Sequence, residues 1–237
     1  MSALFPQSFK PAAWRGSALV RRSSPLASDL RQSESDDLRR DRRDPPILIV
    51  PGLYNSGPQH WQTHWERKLK GAVRVEQSDW LRPNLADWTA TLAEAVRRRP
   101  GAVLVAHSLG CALVSHLSRI TNGRNIGGTL LVAPADVNRD GPNAEFLRDF
   151  SPMPLGRLPF PSVTVSSHND PYVAFGRAQM FAKAWGSTLV DLGYAGHINV
   201  EAGYGPWPEG RKYLKALIDR TESSHRPAPA DQALPNN

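Results

Sequence analysis

Residues 102–118, "AVLVAHSLGCALVSHLS", run from an apolar stretch through a short turn into a helical pattern with no spacer between them. A run that is apolar at every position, rather than at alternate ones, suits a strand covered on both faces. The change at Ala106-His107-Ser108-Leu109-Gly110 reads as a strand-to-helix turn with a serine at its apex. Such a turn pushes the serine side chain outward and aims the first helical N–H at the same space. The G-x-S-x-G spacing of such turns has alanine in its first place here. Alanine adds one methyl, which the turn tolerates if the neighbouring residue is small. Gly110 keeps the second glycine.

Outward from this stretch, "ILIV" at 47–50 and "TLLVA" at 129–133 are apolar in the same way. The opening stretch is expected to give a strand at 102–106, and further strands are expected at 72–76, 163–167 and 188–191. Helices are expected at 59–70, 85–98, 109–121, 172–185 and 209–220, with a short one near 143–149. Strand and helix alternate, so the expected fold is a three-layer α/β/α sandwich with a mainly parallel sheet of about six strands. The expected domain spans 45–220. Residues 1–44 and 221–237 are polar and lack sustained periodicity, and both are expected to be disordered tails.

The chain has 237 residues, 40% hydrophobic and 22% charged, enough for one domain with a sizeable core. Its single cysteine, Cys111, cannot form an internal disulfide, which favours a reducing compartment. No apolar stretch approaches the roughly 18–20 residues of a membrane helix. The N-terminus also lacks a basic segment followed by an apolar core. A cytoplasmic protein without membrane partners is expected. The net charge of +7 permits nucleic-acid binding by itself. The charge is scattered, however, and the longest basic run, Arg97-Arg98-Arg99, falls at a predicted helix end, where cations suit the dipole. No nucleic-acid partner is expected, and nothing in the sequence speaks to oligomeric state.

Polar residues gather where the strands end, which is where open α/β sheets carry their sites. Ser108 follows the third strand, Asp170 the fifth and His197 the sixth. Ser, then Asp, then His is the chain order of α/β hydrolases. A serine hydroxyl is a weak nucleophile that needs a base, imidazole suits that role, and a carboxylate must fix the imidazole tautomer. His107 is a poor base, because residues adjacent along a tight turn project in different directions. His60 and His64 have a spacing that could hold a metal, but no glutamate completes an H-E-x-x-H pattern. Asp170 precedes a proline and could instead cap a helix. Asp136, in "APAD" after the fourth strand, is the alternative acid. The expected oxyanion donors are the backbone N–H groups of Leu109 and Leu53, with Gly52 keeping the backbone open.

The segments "ILIVPGLYNSGPQHWQTHWE", "QSDWLRPNLADW", "VLVAHSLGC", "LLVAPAD", "SSHNDPYV" and "GHINVEAGYGPWPEG" resemble the small serine hydrolases related to retinoblastoma-binding protein nine and the bacterial YdeN-like proteins. The resemblance covers about 46–215. It implies a compact, lidless α/β hydrolase using Ser108, Asp170 and His197, with about six strands and variation at the first elbow glycine. The N-terminal tail is outside the family pattern.

The connection at 134–162 is short and proline-rich, so an open, shallow pocket is expected, with Tyr54, Trp80 and Tyr172 as candidate walls. The expected activity is cleavage of a small-molecule ester or related acyl substrate through an acyl-enzyme, with no metal or organic cofactor. Two alternatives remain at this point. One is a binding or scaffold protein that retains a hydrolase fold. The other is a thioesterase, peptidase or acyltransferase using the same three residues, which fold and motif do not separate.

Overall fold

Six strands, β1 (Ile47–Val50), β2 (Ala72–Arg74), β3 (Ala102–His107), β4 (Ile126–Val132), β5 (Ser162–Ser166) and β6 (Thr188–Asp191), form one sheet, all parallel, in the order β2-β1-β3-β4-β5-β6. The computed structural model describes residues 44–141 and 144–224. The expected N-terminal tail, apart from Asp44, and the expected C-terminal tail beyond 224 lie outside the described residues.

Strands β1 (Ile47–Val50) and β3 (Ala102–His107) are buried at every residue, as are all but Gly127 of β4 (Ile126–Val132) and all of β5 (Ser162–Ser166). The uniform apolar runs have this cause, since both faces of the sheet are covered. Leu48, Val50, Leu104 and Ala106 share one core with Trp88 and Leu92 of helix α2 (Leu85–Arg98). Leu113 and Leu117 of α3 (Leu109–Thr121) and Phe181 and Trp185 of α5 (Phe175–Trp185) complete it. On the other face Ile47, Ile49, Val103 and Val105 meet Trp61 and Trp65 of α1 (Trp61–Lys68) and Leu214 and Leu217 of α6 (Arg211–Ser224). Burying each of these large side chains contributes about 1.5–3 kcal/mol. A short α4 (Ala144–Leu147) lies between β4 and β5.

Several boundaries differ from expectation, each for a local reason. The edge strand β2 stops at Arg74, after which Val75 N–H pairs with the Ile49 carbonyl as the chain leaves the sheet. Strand β4 begins three residues early, because Gly127 and Gly128 carry no apolar signal although Gly128 pairs with Val103. Helix α5 starts at Phe175 rather than 172, since Asp170 Oδ1 accepts the Tyr172 N–H at 2.8 Å in a turn. Helix α6 continues to Ser224, four residues into the expected tail, and Thr221 is buried with its hydroxyl donating to the Ile218 carbonyl. Strand β6 (Thr188–Asp191) lies as expected.

The order reverses between β1 and β3, so the chain departs to opposite sides of the sheet there. A crevice at the carboxyl ends of such strands is the usual ligand position of this sheet type. The loop after β1 and the turn at Ser108 both open onto it.

Candidate active site

Ser108 joins β3 to α3 with φ 53° and ψ −121°. A positive φ in a residue with a Cβ stores of order 1–3 kcal/mol of strain, which the surrounding packing must hold. The packing here leaves no slack. A Cβ on Gly110 would overlap the Val50 carbonyl and lie 2.7 Å from that of Pro51. A Cβ on Gly52 would come within 2.9 Å of the Ser108 Cβ and 3.0 Å of the Leu109 nitrogen. These two glycines let the loop after β1 lie directly against the serine turn. Ala106 is buried against the α2–α3 side without displacing it.

A serine at the start of a helix most often caps it. Ser108 makes no side-chain capping bond. Its hydroxyl instead donates to His197 Nε2 at 2.9 Å. His197 Nδ1–H donates to the Asp170 carboxylate, at 2.9 Å to Oδ2 and 3.0 Å to Oδ1. A carboxylate only accepts, so it holds the proton on Nδ1 and leaves the Nε2 lone pair facing Ser108. The Asp170 side chain is 1% exposed.

The His197 loop is tied down from several directions. Ala195 N–H donates to Ser167 Oγ at 2.9 Å and Gly196 N–H to Asn169 Oδ1 at 2.8 Å. Trp61 Nε1–H donates to the Ile198 carbonyl at 2.9 Å. His107 Nε2–H donates to the carbonyl of His197 itself, also at 2.9 Å. His107 was expected to stand aside from Ser108, and its ring does point elsewhere. It nevertheless clamps the backbone of the imidazole that faces Ser108. Three other histidines have different partners: His60 Nδ1 caps α1 at Gln62 N–H, His116 bonds the Phe150 carbonyl, and His168 pairs with Asp191.

Asp136, the alternative acid, is held by Arg177 through both oxygens, at 2.7 Å from Nε and 3.0 Å from one terminal nitrogen. Asp136→Asn is therefore expected to change hydrolytic turnover less than threefold while lowering stability by about 1 kcal/mol, discounted for the half-exposed guanidinium. Steady-state kinetics and a denaturant midpoint check both. Cys111 is buried at the start of α3, where desolvation keeps its thiol protonated and unreactive.

A cavity of about 290 Å³ opens over Ser108. Leu53, Tyr54, Tyr172 and Leu147 line it, so the connection after β4 supplies part of the wall despite its shortness. Trp80 is not among the lining residues, contrary to expectation. Its ring packs on Trp88 at 5.5 Å, and its contribution to the loop is its carbonyl, which accepts the Tyr54 N–H at 2.9 Å. His60, His107 and Arg139 line the cavity without having been expected there.

Three imidazoles crowd this wall, with ring centroids 4.8 Å apart from His60 to His107 and again from His107 to His197. Burial, then the neighbouring His197, Arg74 and His64, bring His60 from 6.5 down to about 3. Burial, then His197 and His60, hold His107 well below the usual imidazole range. Both rings stay neutral in the fold, whereas the unfolded chain takes up their protons below about pH 6.5. Stability is thus full above pH 6.5 and falls as the pH drops below it, His60 contributing down to about pH 3 and His107 in the same direction. Thermal midpoints are expected to decline steeply between pH 6 and 4, and less steeply for a His60→Gln variant.

A model of the serine hydrolase family matches residues 47–216. A solved structure described as a YdeN-like hydrolase, from Pectobacterium atrosepticum, is 36% identical, covers 81% of this chain and 97% of its own, and superposes with a TM-score of 0.65. The ydeN gene product of B. subtilis is 21% identical over 74% of this chain and 99% of its own, with a TM-score of 0.63. Esterase 2 of Thermogutta terrifontis shares the fold at 19% identity, covering 79% of this chain and 86% of its own, with a TM-score of 0.57. No curated protein matches the sequence. Among the described residues, no helix is long and apolar enough to cross a membrane. With the family match spanning most of the chain and the fold shared with these neighbours, the protein belongs to the serine hydrolase family, among the YdeN-like α/β hydrolases.

Proposed function

We propose that the protein hydrolyses carboxylic esters of small molecules through an acyl-enzyme on Ser108. The observation that carries this reading is the unbroken hydrogen-bonded line from Ser108 Oγ through His197 to Asp170, starting at a strained residue whose hydroxyl has no capping role.

Ser108 Oγ attacks the ester carbonyl while His197 Nε2 takes its proton. The carbonyl electrons move onto oxygen, which then accepts hydrogen bonds from the backbone N–H groups of Leu53 and Leu109. Leu109 is the first residue of α3, so its N–H has no partner within the helix. Collapse of the tetrahedral species breaks the bond to the alcohol, which leaves with the proton from His197. Water then attacks the acyl group, giving a proton to His197, and the second collapse returns Ser108 and releases the acid. Asp170 stays ionised throughout and stabilises the imidazolium. His107 keeps the His197 backbone in place during both proton transfers. The chemistry asks for no metal and no organic cofactor.

The test is turnover of a short-chain 4-nitrophenyl ester. The native chain is expected to cleave it and to be labelled by a fluorophosphonate, and Ser108→Ala to do neither. A native chain inert to both reagents contradicts the proposal.

A further inference from the structure

The loop after β1 folds around Leu53 in a tight turn. Gly52, Leu53, Tyr54 and Asn55 make it, and the Asn55 N–H closes it on the Gly52 carbonyl at 3.2 Å. The Tyr54 N–H is taken by the Trp80 carbonyl and the Ser56 N–H by Asn55 Oδ1. The Leu53 N–H donates to no group among the described residues, and Leu53 lines the cavity over Ser108. Tyr54 and Asn55 both lie in the left-handed region, with φ 66° and 63°. Asparagine adopts that backbone more readily than tyrosine. Two such residues in succession persist only where their surroundings hold them.

The holding group is Arg74, the last residue of β2. Its side chain is 8% exposed, and it is not among the residues that line the cavity. Nη1 donates to Asn55 Oδ1 at 2.6 Å and to the Ser56 carbonyl at 2.8 Å. Nη2 donates to Thr63 Oγ1 at 2.6 Å, and that hydroxyl donates to the same Ser56 carbonyl at 2.8 Å. Glu66 Oε2 fixes the other edge of the guanidinium, accepting from Nε at 3.0 Å and from Nη2 at 2.8 Å. The planar fork is thus locked against α1 and aimed at the residue that closes the turn around Leu53.

We propose that Arg74 is a positioning residue for the hydrolytic reaction. By holding Asn55 it keeps the Leu53 N–H where the oxyanion forms. This rests on the Ser108 reaction proposed above. Arg74 acts through the turn and touches neither the substrate nor the reacting atoms. A group misplaced by about 1 Å forfeits on the order of 10²-fold in rate, and an oxyanion donor lost outright about 10²–10³-fold.

Arg74→Met is expected to lower kcat/KM for a short-chain 4-nitrophenyl ester by about 10–100-fold. Two ketone inhibitors separate the Leu53 N–H from general damage to the cavity. Ser108 Oγ adds to the carbonyl carbon of 1,1,1-trifluoro-2-octanone. Its proton passes to His197, and the carbonyl electron pair becomes the negative oxygen that the N–H receives. 2-Octanone has the same chain and forms no stable adduct. The ratio of the two inhibition constants does not depend on how much of a variant is folded. Arg74→Met is expected to weaken the trifluoro ketone by about tenfold or more and 2-octanone by less than about twofold. Arg74→Lys is expected to fall between native and Arg74→Met, since lysine keeps the charge without the fork. Asn55→Gly keeps the left-handed backbone and removes Oδ1, and is expected to shift the ratio in the same direction by about threefold or more. Arg74→Lys and Asn55→Gly carry the test if Arg74→Met does not fold. A ratio that stays native in the variants that fold overturns the proposal. Equal weakening of both ketones also overturns it, because the arginine then shapes the cavity rather than the N–H. The parent reading fails separately, if the native chain cleaves no ester or if Ser108→Ala cleaves esters at the native rate.

Discussion

Ser108→Ala is expected to lower kcat/KM for a short-chain ester by about 10⁴-fold or more, leaving only what the oxyanion donors and binding supply. The magnitude follows from the arrangement around the hydroxyl. Ser108 Oγ stands 2.9 Å from a nitrogen whose lone pair is fixed by a buried carboxylate, so its removal disables the imidazole as well. No neighbouring group is placed to take over, since the Cys111 thiol is buried and kept protonated. The substitution also removes a hydroxyl that caps nothing, so the helix itself loses no bond. The thermal midpoint of the variant should therefore stay close to that of the native chain. A variant that folds normally and retains turnover within tenfold places the nucleophile elsewhere.

Asp170→Asn is the second large effect, a loss of roughly 10³–10⁴-fold in kcat with little change in KM. Asp170 accepts from His197 Nδ1 through both oxygens and from the Tyr172 N–H through Oδ1. An asparagine can keep its oxygen on the Tyr172 N–H. Its amide N–H₂ then faces Nδ1 as a donor, which favours the tautomer with the proton on Nε2. That tautomer cannot accept the Ser108 proton, although shape and volume are preserved. The contrast with Asp136→Asn makes the comparison informative. Both residues are buried aspartates at strand ends, but one faces an imidazole and the other a guanidinium. Equal losses in the two variants would point to a general effect of buried charge rather than to a role for Asp170.

Much of this arrangement was legible in the sequence where burial is complete. Strands β1, β3 and β4 are read from uniform apolar runs, because both of their faces are covered by helices. The serine turn was legible because β3 ends and α3 begins with only one residue between them. Asp170 and His197 were legible through the positions of the strands that precede them. Features that depend on where a ring goes were harder to read. His107 belongs to β3, and strand alternation puts it on the same face as Val105, against Trp61. Ending that strand at Ala106 hid this alternation, and with it the bond across 90 residues to the His197 carbonyl. The Trp80 ring was misplaced for a similar reason, since the loop after β2 turns it onto Trp88 and leaves only its backbone for the site. Arg139 sits in an irregular connection, where no periodicity indicates direction.

The most direct measurement is the site of covalent labelling. The native chain is treated with a fluorophosphonate, digested and mapped by mass spectrometry, alongside Asp170→Asn and Asp136→Asn treated for the same time. The expected result is a single adduct on the peptide containing Ser108, formed at the native rate in Asp136→Asn and far more slowly in Asp170→Asn. An adduct on any other residue, or equal labelling rates in all three proteins, would contradict it.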